Sequence, residues 1–283
     1  MSLQALIPRS SPIAFPGLFG DWQFTADAKL LDIGAGVYWY GVFIALGLLL
    51  GLFFCMKQAP RFGLTEENVM DAVLWGMPLG IVGARLYYII FNFSLYRAAD
   101  GSPDLGKMLR IHDGGLAIYG GLIAGFLTAW IVSRRKRFSY LSLMDDLVMG
   151  VQLGQCLGRW GNFMNREAFG SLTQAPWRMR LWGIDGQYYD VHPTFLYESL
   201  WSLAGFLLLW LVIAKRRRFD GQCFLCYLLW YGLGRVWIEG LREDSLYLFG
   251  ATLFGAPVRV SQALSAVLVL VSAGLLGRQA RRA

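Results

Sequence analysis

Residues 37–56 read Val37-Tyr38-Trp39-Tyr40-Gly41-Val42-Phe43-Ile44-Ala45-Leu46-Gly47-Leu48-Leu49-Leu50-Gly51-Leu52-Phe53-Phe54-Cys55-Met56, without one Asp, Glu, Lys, Arg or His. As a helix rising about 1.5 Å per residue, that run matches the roughly 30 Å hydrocarbon core of a bilayer. Six more runs of similar character follow, at Val69–Phe93, Gly115–Ser133, Asp145–Asn165, Phe195–Ala214, Gly221–Gly240 and Val260–Leu276. The whole chain of 283 residues is 56% hydrophobic and only 16% charged. A soluble domain carries about 25% charge, so this one has too few ionisable side chains to cover a water-facing surface. A soluble enzyme, a secreted disulfide scaffold and a disordered chain are excluded. The expected fold is an all-α membrane protein with seven transmembrane helices.

Charge between the runs sets an expected orientation, because Lys and Arg accumulate on the cytoplasmic side. Lys57 and Arg61, the Arg134–Arg137 block, the Lys215–Arg218 block, and Arg278, Arg281 and Arg282 all fall on one side. The alternate connections hold acids that match or exceed the bases, such as Asp100, Asp104, Lys107, Arg110 and Asp113. The N-terminus is therefore expected outside and the C-terminus inside. The net charge of +7 lies in these short blocks and not in a basic arm, which argues against a nucleic-acid partner. The four cysteines, Cys55, Cys156, Cys223 and Cys226, lie in apolar runs, a buried-residue pattern and not a disulfide framework. No cleavable signal peptide is visible in residues 1–36.

Two outer regions are more than linkers. Residues 1–36, with Trp22 among Pro8, Pro12 and Pro16, suit an interfacial N-terminal arm of short amphipathic pieces. Residues 37–283 form the seven-helix domain. Within it, 166–194 is read as a small extracytoplasmic cap with a strand or two around Trp177–Trp182 and Tyr188–Val191.

Ionisable groups at mid-helix depth cost about 2.5–3.5 kcal/mol each on insertion scales and call for a reason. Here they are Arg85, Arg159, Glu198, Arg235 and Glu239, with Asn162, Asn165, Tyr40 and Tyr119 as uncharged company. Counting about 1.5 Å per residue places Arg159 about 9 Å and Arg235 about 8 Å below the outer ends of their runs. Every such group falls in the outer half, which suits an enzyme acting on outer-leaflet headgroups better than a transporter with a midplane site. Arg235, Glu239 and Arg242 are spaced i, i+4, i+7, and Arg159, Asn162 and Arg166 i, i+3, i+7, each set on one helical face. Plainer readings stand beside these: Arg85 snorkelling to the interface, Glu239 as counter-ion to Arg235 or Arg242, and Glu198 as a packing carboxylate.

The most specific string is Gly158-Arg159-Trp160-Gly161-Asn162-Phe163-Met164-Asn165-Arg166-Glu167-Ala168-Phe169-Gly170. At every fixed position it resembles the G-R-x-G-N-F-x-N-x-E-x-x-G signature of the bacterial prolipoprotein diacylglyceryl transferases. Further resemblances occur in the same order: Trp39-Tyr40-Gly41, Gly83-Ala84-Arg85, Asp113-Gly114-Gly115-Leu116 with Tyr119-Gly120-Gly121, His192-Pro193-Thr194 through Tyr197-Glu198, and Tyr231-Gly232 with Arg235, Glu239 and Arg242.

The resemblance implies transfer of a diacylglyceryl group from phosphatidylglycerol to the lipobox cysteine of a prolipoprotein signal peptide, with release of glycerol 1-phosphate. It places the enzyme in the bacterial inner membrane with its site toward the outer leaflet, and it calls for no cofactor and no metal. Arg159 would bind the phosphate and Arg235 would stabilise it as it departs. Asn162 and Asn165 would meet glycerol or phosphate oxygens, with Tyr40, Arg85, Glu167, Gly170, His192, Glu239 and Arg242 as further substrate contacts. Many relatives have a histidine where this chain has Tyr119. A tyrosine with an ordinary pKa near 10 is a poor base for a thiol at neutral pH, so positioning is the expected role, with His112 a weaker candidate base. A lipid or small-anion transporter, and a structural subunit whose arginines pair wholly with Glu198 and Glu239, are the competing readings.

Overall fold

A computed structural model describes residues 3–281, apart from 34–35, 98–99, 112–113, 243–246 and 254–255. His112, Asp113 and Arg282, named above, lie outside the described residues. Seven helices of 15 residues or more coincide with the seven apolar runs: Trp39–Gln58, Glu66–Phe91, Ile118–Lys136, Tyr140–Asn165, Thr194–Leu208, Gln222–Leu241 and Val260–Ala280. Four segments, Trp39–Phe62, Glu66–Phe91, Thr194–Arg216 and Val260–Gln279, are long and apolar enough to cross a membrane. The three that fall short of that standard include the two that carry Arg159 and Arg235.

Helix ends follow local chemistry. Thr65 and Asn68 form a reciprocal capping box, Oγ1 accepting from the Asn68 N–H at 3.1 Å and Oδ1 from the Thr65 N–H at 3.0 Å. Glu66 and Glu67 then sit in the first turn, where the helix dipole favours anions. Arg134, Arg135 and Lys136 fill the last turn of their helix, where it favours cations.

The chain divides into two compact units, Met1–Phe53 with Leu147–Ala283, and Phe54–Asp146. In the second, the Glu66–Phe91 and Ile118–Lys136 helices meet at glycines. A side chain at Gly83 would strike Ala124 and lie 2.7 Å from the Gly120 carbonyl, and one at Gly120 would strike Tyr87 and Gly83. Small residues thus let the two backbones approach closely.

In the first unit, Gly51 and Gly150 meet similarly, a Cβ on Gly51 falling 2.7 Å from the Gly150 carbonyl oxygen. Trp201 and Trp230 stack at 4.3 Å and exchange hydrogen bonds, each indole N–H donating to the other's carbonyl at 3.0 and 2.9 Å. Gly205 and Gly234 leave the space that these rings fill.

The expected strands form, and the N-terminal arm joins them. An antiparallel sheet runs Gln23–Phe24, Ile13–Ala14, Met179–Trp182, Tyr188–Val191, with Ile13 opposite Leu181. Its buried face, Ile13, Met179, Leu181 and Val191, packs on Ile7, Phe169 and Phe195. Ile13–Ala14 and Gln23–Phe24 of the N-terminal arm are therefore strands of this sheet. Two further hairpins, Lys29–Leu31 with Val37–Tyr38 and Tyr247–Leu253 with Ala256–Arg259, were not legible in the sequence pattern.

Candidate active site

The first unit builds the site from three segments. The Tyr140–Asn165 helix presents Arg159 and Asn162. It stops there because Arg166 and Ala168 adopt left-handed backbone, φ 52° and 56°. That reversal folds Glu167 back, so that its Oε1 accepts from Asn162 Nδ2 at 2.9 Å and Asn165 Nδ2 at 3.1 Å. Arg159 in turn donates to Asn162 Oδ1 at 3.4 Å. The Asn165 Oδ1 atom is buried without a hydrogen-bond partner among the described residues.

Glu198, in the first turns of the Thr194–Leu208 helix, is the hub. Arg159 Nη2 pairs with its Oε2, while Arg235 Nη1 and Arg242 Nη1 lie 3.6 and 3.4 Å from its Oε1. Arg235 Nη2 also pairs with Glu239 Oε2 at 2.8 Å, one turn along the Gln222–Leu241 helix. Both carboxylates are buried, Glu198 at 8% and Glu239 at 2% exposure, whereas the Arg159 and Arg235 side chains keep 26% and 21%. Glu167, joined to Arg159 through Asn162, is the third carboxylate of the site. Arg159, Glu198 and Arg235, with Ser202 and Tyr231, line a cavity of about 30 Å³. Neither arginine points away from the other. Glu198, weighed in the sequence as a packing carboxylate, is what gathers them.

Gly170 is the stitch behind this cluster. Its N–H donates to the His192 carbonyl at 3.0 Å, and the Ser171 N–H donates to the Leu241 carbonyl at 2.7 Å. A Cβ on Gly170 would sit 2.8 Å from His192 Cβ and 2.9 Å from the Leu241 carbonyl oxygen. Only a glycine lets the segments bearing Arg242 and Glu198 close up. His192 Nδ1 lies 3.1 Å from Tyr197 Oη, which accepts from Trp177 Nε1 at 2.7 Å. Burial holds the imidazole below its ordinary pKa. Tyr40 packs its ring on Gly161 and, with Arg9 and Asn165, lines an open pocket of about 510 Å³.

Two arginines behave differently from the sequence reading. Arg166 does not continue the face of Arg159 and Asn162, because its own left-handed backbone ends the helix. Its buried guanidinium donates to the carbonyls of Ser11 at 2.8 Å and Ala26 at 2.6 Å, and also to that of Met164. It tethers the N-terminal arm. Arg85, in the second unit, was expected to contact substrate or to snorkel. All five of its N–H groups donate to carbonyls: Nε to Met108 at 2.8 Å, Nη1 to Gly114 and Gly115 at 2.6 and 3.0 Å, and Nη2 to Lys107 and Arg110 at 2.8 and 3.0 Å. Gly114 and Gly115, at φ 85° and 77°, turn their carbonyls to it. Tyr119 sits in the first turn of the Ile118–Lys136 helix of the same unit, 48% exposed.

The prolipoprotein diacylglyceryl transferase family model matches residues 28–278 of this chain. A phosphatidylglycerol–prolipoprotein diacylglyceryl transferase of Finegoldia magna is 42% identical over 237 residues, 84% of this chain and 89% of the relative. Its counterpart in Geobacillus kaustophilus is 43% identical over 260 residues, covering 88% and 91%. That of Clostridioides difficile is 38% identical over 237 residues, covering 84% and 88%.

Proposed function

This chain belongs to the prolipoprotein diacylglyceryl transferase family, and we propose that the arginines gathered on Glu198 are where it handles the lipid phosphate. It is a membrane enzyme that transfers the diacylglyceryl group of phosphatidylglycerol to a prolipoprotein in lipoprotein maturation.

The acceptor in our reading is the lipobox cysteine, as thiolate. Its sulfur attacks the lipid glycerol carbon, the bond from that carbon to the phosphate oxygen breaks, and a thioether forms. Glycerol 1-phosphate departs with the electron pair, and the thiol proton goes to solvent or a base. A phosphodiester near lipid needs cations that fit two oxygens at once, and a guanidinium fork does so. Arg159 commits one amino group to Glu198 and one to Asn162, and its Nε–H has no partner among the described residues. It is the anchor. Arg235, already oriented by Glu198 and Glu239, meets the charge that grows on the departing phosphate. Glu198 and Glu239 keep the guanidiniums aimed before lipid arrives. The unpaired Asn165 Oδ1 accepts from a glycerol hydroxyl, and Asn162 aligns Arg159. Arg242 and Glu167 hold this set in register, while Gly170 and His192 join the segments behind it. Tyr40 lines the approach. Tyr119, a phenol and not an imidazole, positions the phosphate or thiol, and Arg85 supports the loop before it.

The observation that carries this reading is the convergence of Arg159, Arg235 and Arg242 on one carboxylate beside a cavity. Arg159 and Arg235 keep exposed side-chain surface while Glu198 and Glu239, which hold them, are buried, and this favours an anion-binding role. We read the seven helices as seven crossings of the bacterial inner membrane, N-terminus outside, with the site toward the outer leaflet. The test combines purified protein, phosphatidylglycerol and a lipobox peptide bearing a free cysteine. Peptide mass gain and glycerol phosphate release are expected in equal amounts, whereas phosphate release without peptide modification would show lipase action instead.

A further inference from the structure

The second unit carries a feature that the transfer reaction does not use. A groove of about 360 Å³ lies on the pair formed by the Glu66–Phe91 and Ile118–Lys136 helices, with Trp75, Leu79, Ile131 and Val132 along it and Asp71, Arg135 and Lys136 at one end. At about 1.5 Å per residue, Asp71 to Leu79 spans about 12 Å, so the groove is a trough with charge at one mouth only. The remaining wall residue, Thr128, donates its hydroxyl back to the Ala124 carbonyl at 2.7 Å and offers nothing polar to the trough.

The charges at the mouth are unequally committed. Lys136 pairs with both Glu67, at 2.8 Å, and Asp71, so those acids and that lysine satisfy one another. Arg135 is exposed and has no ion pair or hydrogen bond among the described residues. Arg134 beside it lies over the Trp130 ring at 5.7 Å, and Arg137 follows. The local excess is therefore positive. One turn into the trough, the Trp75 indole is 61% exposed and its N–H has no partner among the described residues. An open cation, an open neutral donor and an apolar channel running away from them match one kind of ligand: an amphiphile with an anionic head.

We propose that this groove binds an anionic phospholipid, its phosphate on Arg135 and one acyl chain laid along Leu79 and Ile131. A water-soluble anion would leave the apolar trough unfilled, and a neutral lipid would gain no charge-assisted contact from Arg135. The lipid here is a bound component, not a reactant.

The experiment is native mass spectrometry of the full-length protein, delipidated in detergent, titrated with phosphatidic acid or with phosphatidylcholine of the same acyl chains. Phosphatidic acid has no headgroup glycerol for the transfer reaction. Wild-type protein should hold it about tenfold more tightly than phosphatidylcholine, the scale of one charge-assisted contact. Arg135→Gln should bring that ratio toward one while leaving transfer activity unchanged. Arg278→Gln, a basic residue at another helix end, should leave the ratio as it was. Ile131→Trp, which fills the trough, should weaken both lipids, and glycerol 3-phosphate should not bind. Three results would overturn the proposal: full phosphatidic acid binding in both Arg135→Gln and Ile131→Trp, an equal loss in Arg278→Gln, or paired chains in place of lipid adducts.

Discussion

The value of a guanidinium here depends on what already occupies its donors. Arg85 and Arg166 have theirs committed to carbonyls, whereas Arg159 and Arg235 face carboxylates beside a cavity and retain exposed surface. We therefore expect Arg159→Ala to abolish diacylglyceryl transfer in membranes while the protein still accumulates, and Arg159→Lys to recover little, because an ammonium cannot reproduce the fork. Near-wild-type transfer in Arg159→Ala membranes would remove the anchor assignment. Tyr119→Phe should retain measurable transfer if that residue only positions; complete loss would give its hydroxyl a larger part. At Gly170, where a Cβ meets His192 and the Leu241 carbonyl, alanine forces the backbone apart. It should cost about 1–3 kcal/mol, read as a lower thermal midpoint, and should depress kcat by shifting Arg242 and Glu198.

Whole elements depend on single polar staples. The loop before Tyr119 closes on Arg85, so Arg85→Lys leaves carbonyls without donors in a nearly closed site. A loss of about 2–4 kcal/mol is expected, together with faster proteolysis of residues 105–115; an unchanged digestion pattern would show that the loop holds without it. In the hairpin of Met179–Trp182 and Tyr188–Val191, Arg180 grips Asp190 with two hydrogen bonds at 2.7 and 2.8 Å, and Arg178 adds one at 2.9 Å. The Arg180 hydrogen bond, ahead of the simple attraction of both cations, holds the Asp190 carboxyl below the usual range. A depressed folded pKa means that the unfolded chain takes up the proton first. The contribution is thus complete above the ordinary aspartate pKa of about 3.9 and fades as pH falls through the lower folded value. Thermal melts between pH 5 and pH 3 should show wild type losing stability more steeply than Asp190→Asn. Parallel slopes would mean that the pair contributes nothing.

For the molecule as a whole, the question is how many helices cross and which way. Three of the seven carry enough polar groups to miss a strict standard of apolarity, and two of these hold Arg159 and Arg235. In an enzyme working on lipid headgroups, chemistry and span compete for the same residues. With the native cysteines replaced, single cysteines at Gln187 and Arg217 should react with an impermeant maleimide from opposite sides of sealed vesicles. Labelling from one side only would remove the seven-crossing arrangement.

The amino-acid sequence by itself determined that the chain is helical and membrane-bound, where each long helix runs to within a few residues, and, through the Gly158–Gly170 string, which residues to suspect. Those are properties of composition and of neighbours along one segment, and they survive without knowledge of what lies opposite. The tertiary structure alone decided that Glu198 gathers three arginines, that Arg85 and Arg166 are held by main-chain carbonyls, and that Ile13 of the arm pairs with Leu181. A donor's partner is chosen among groups dozens of residues away, and left-handed backbone at Arg166 redirects a side chain that helical spacing had aimed elsewhere.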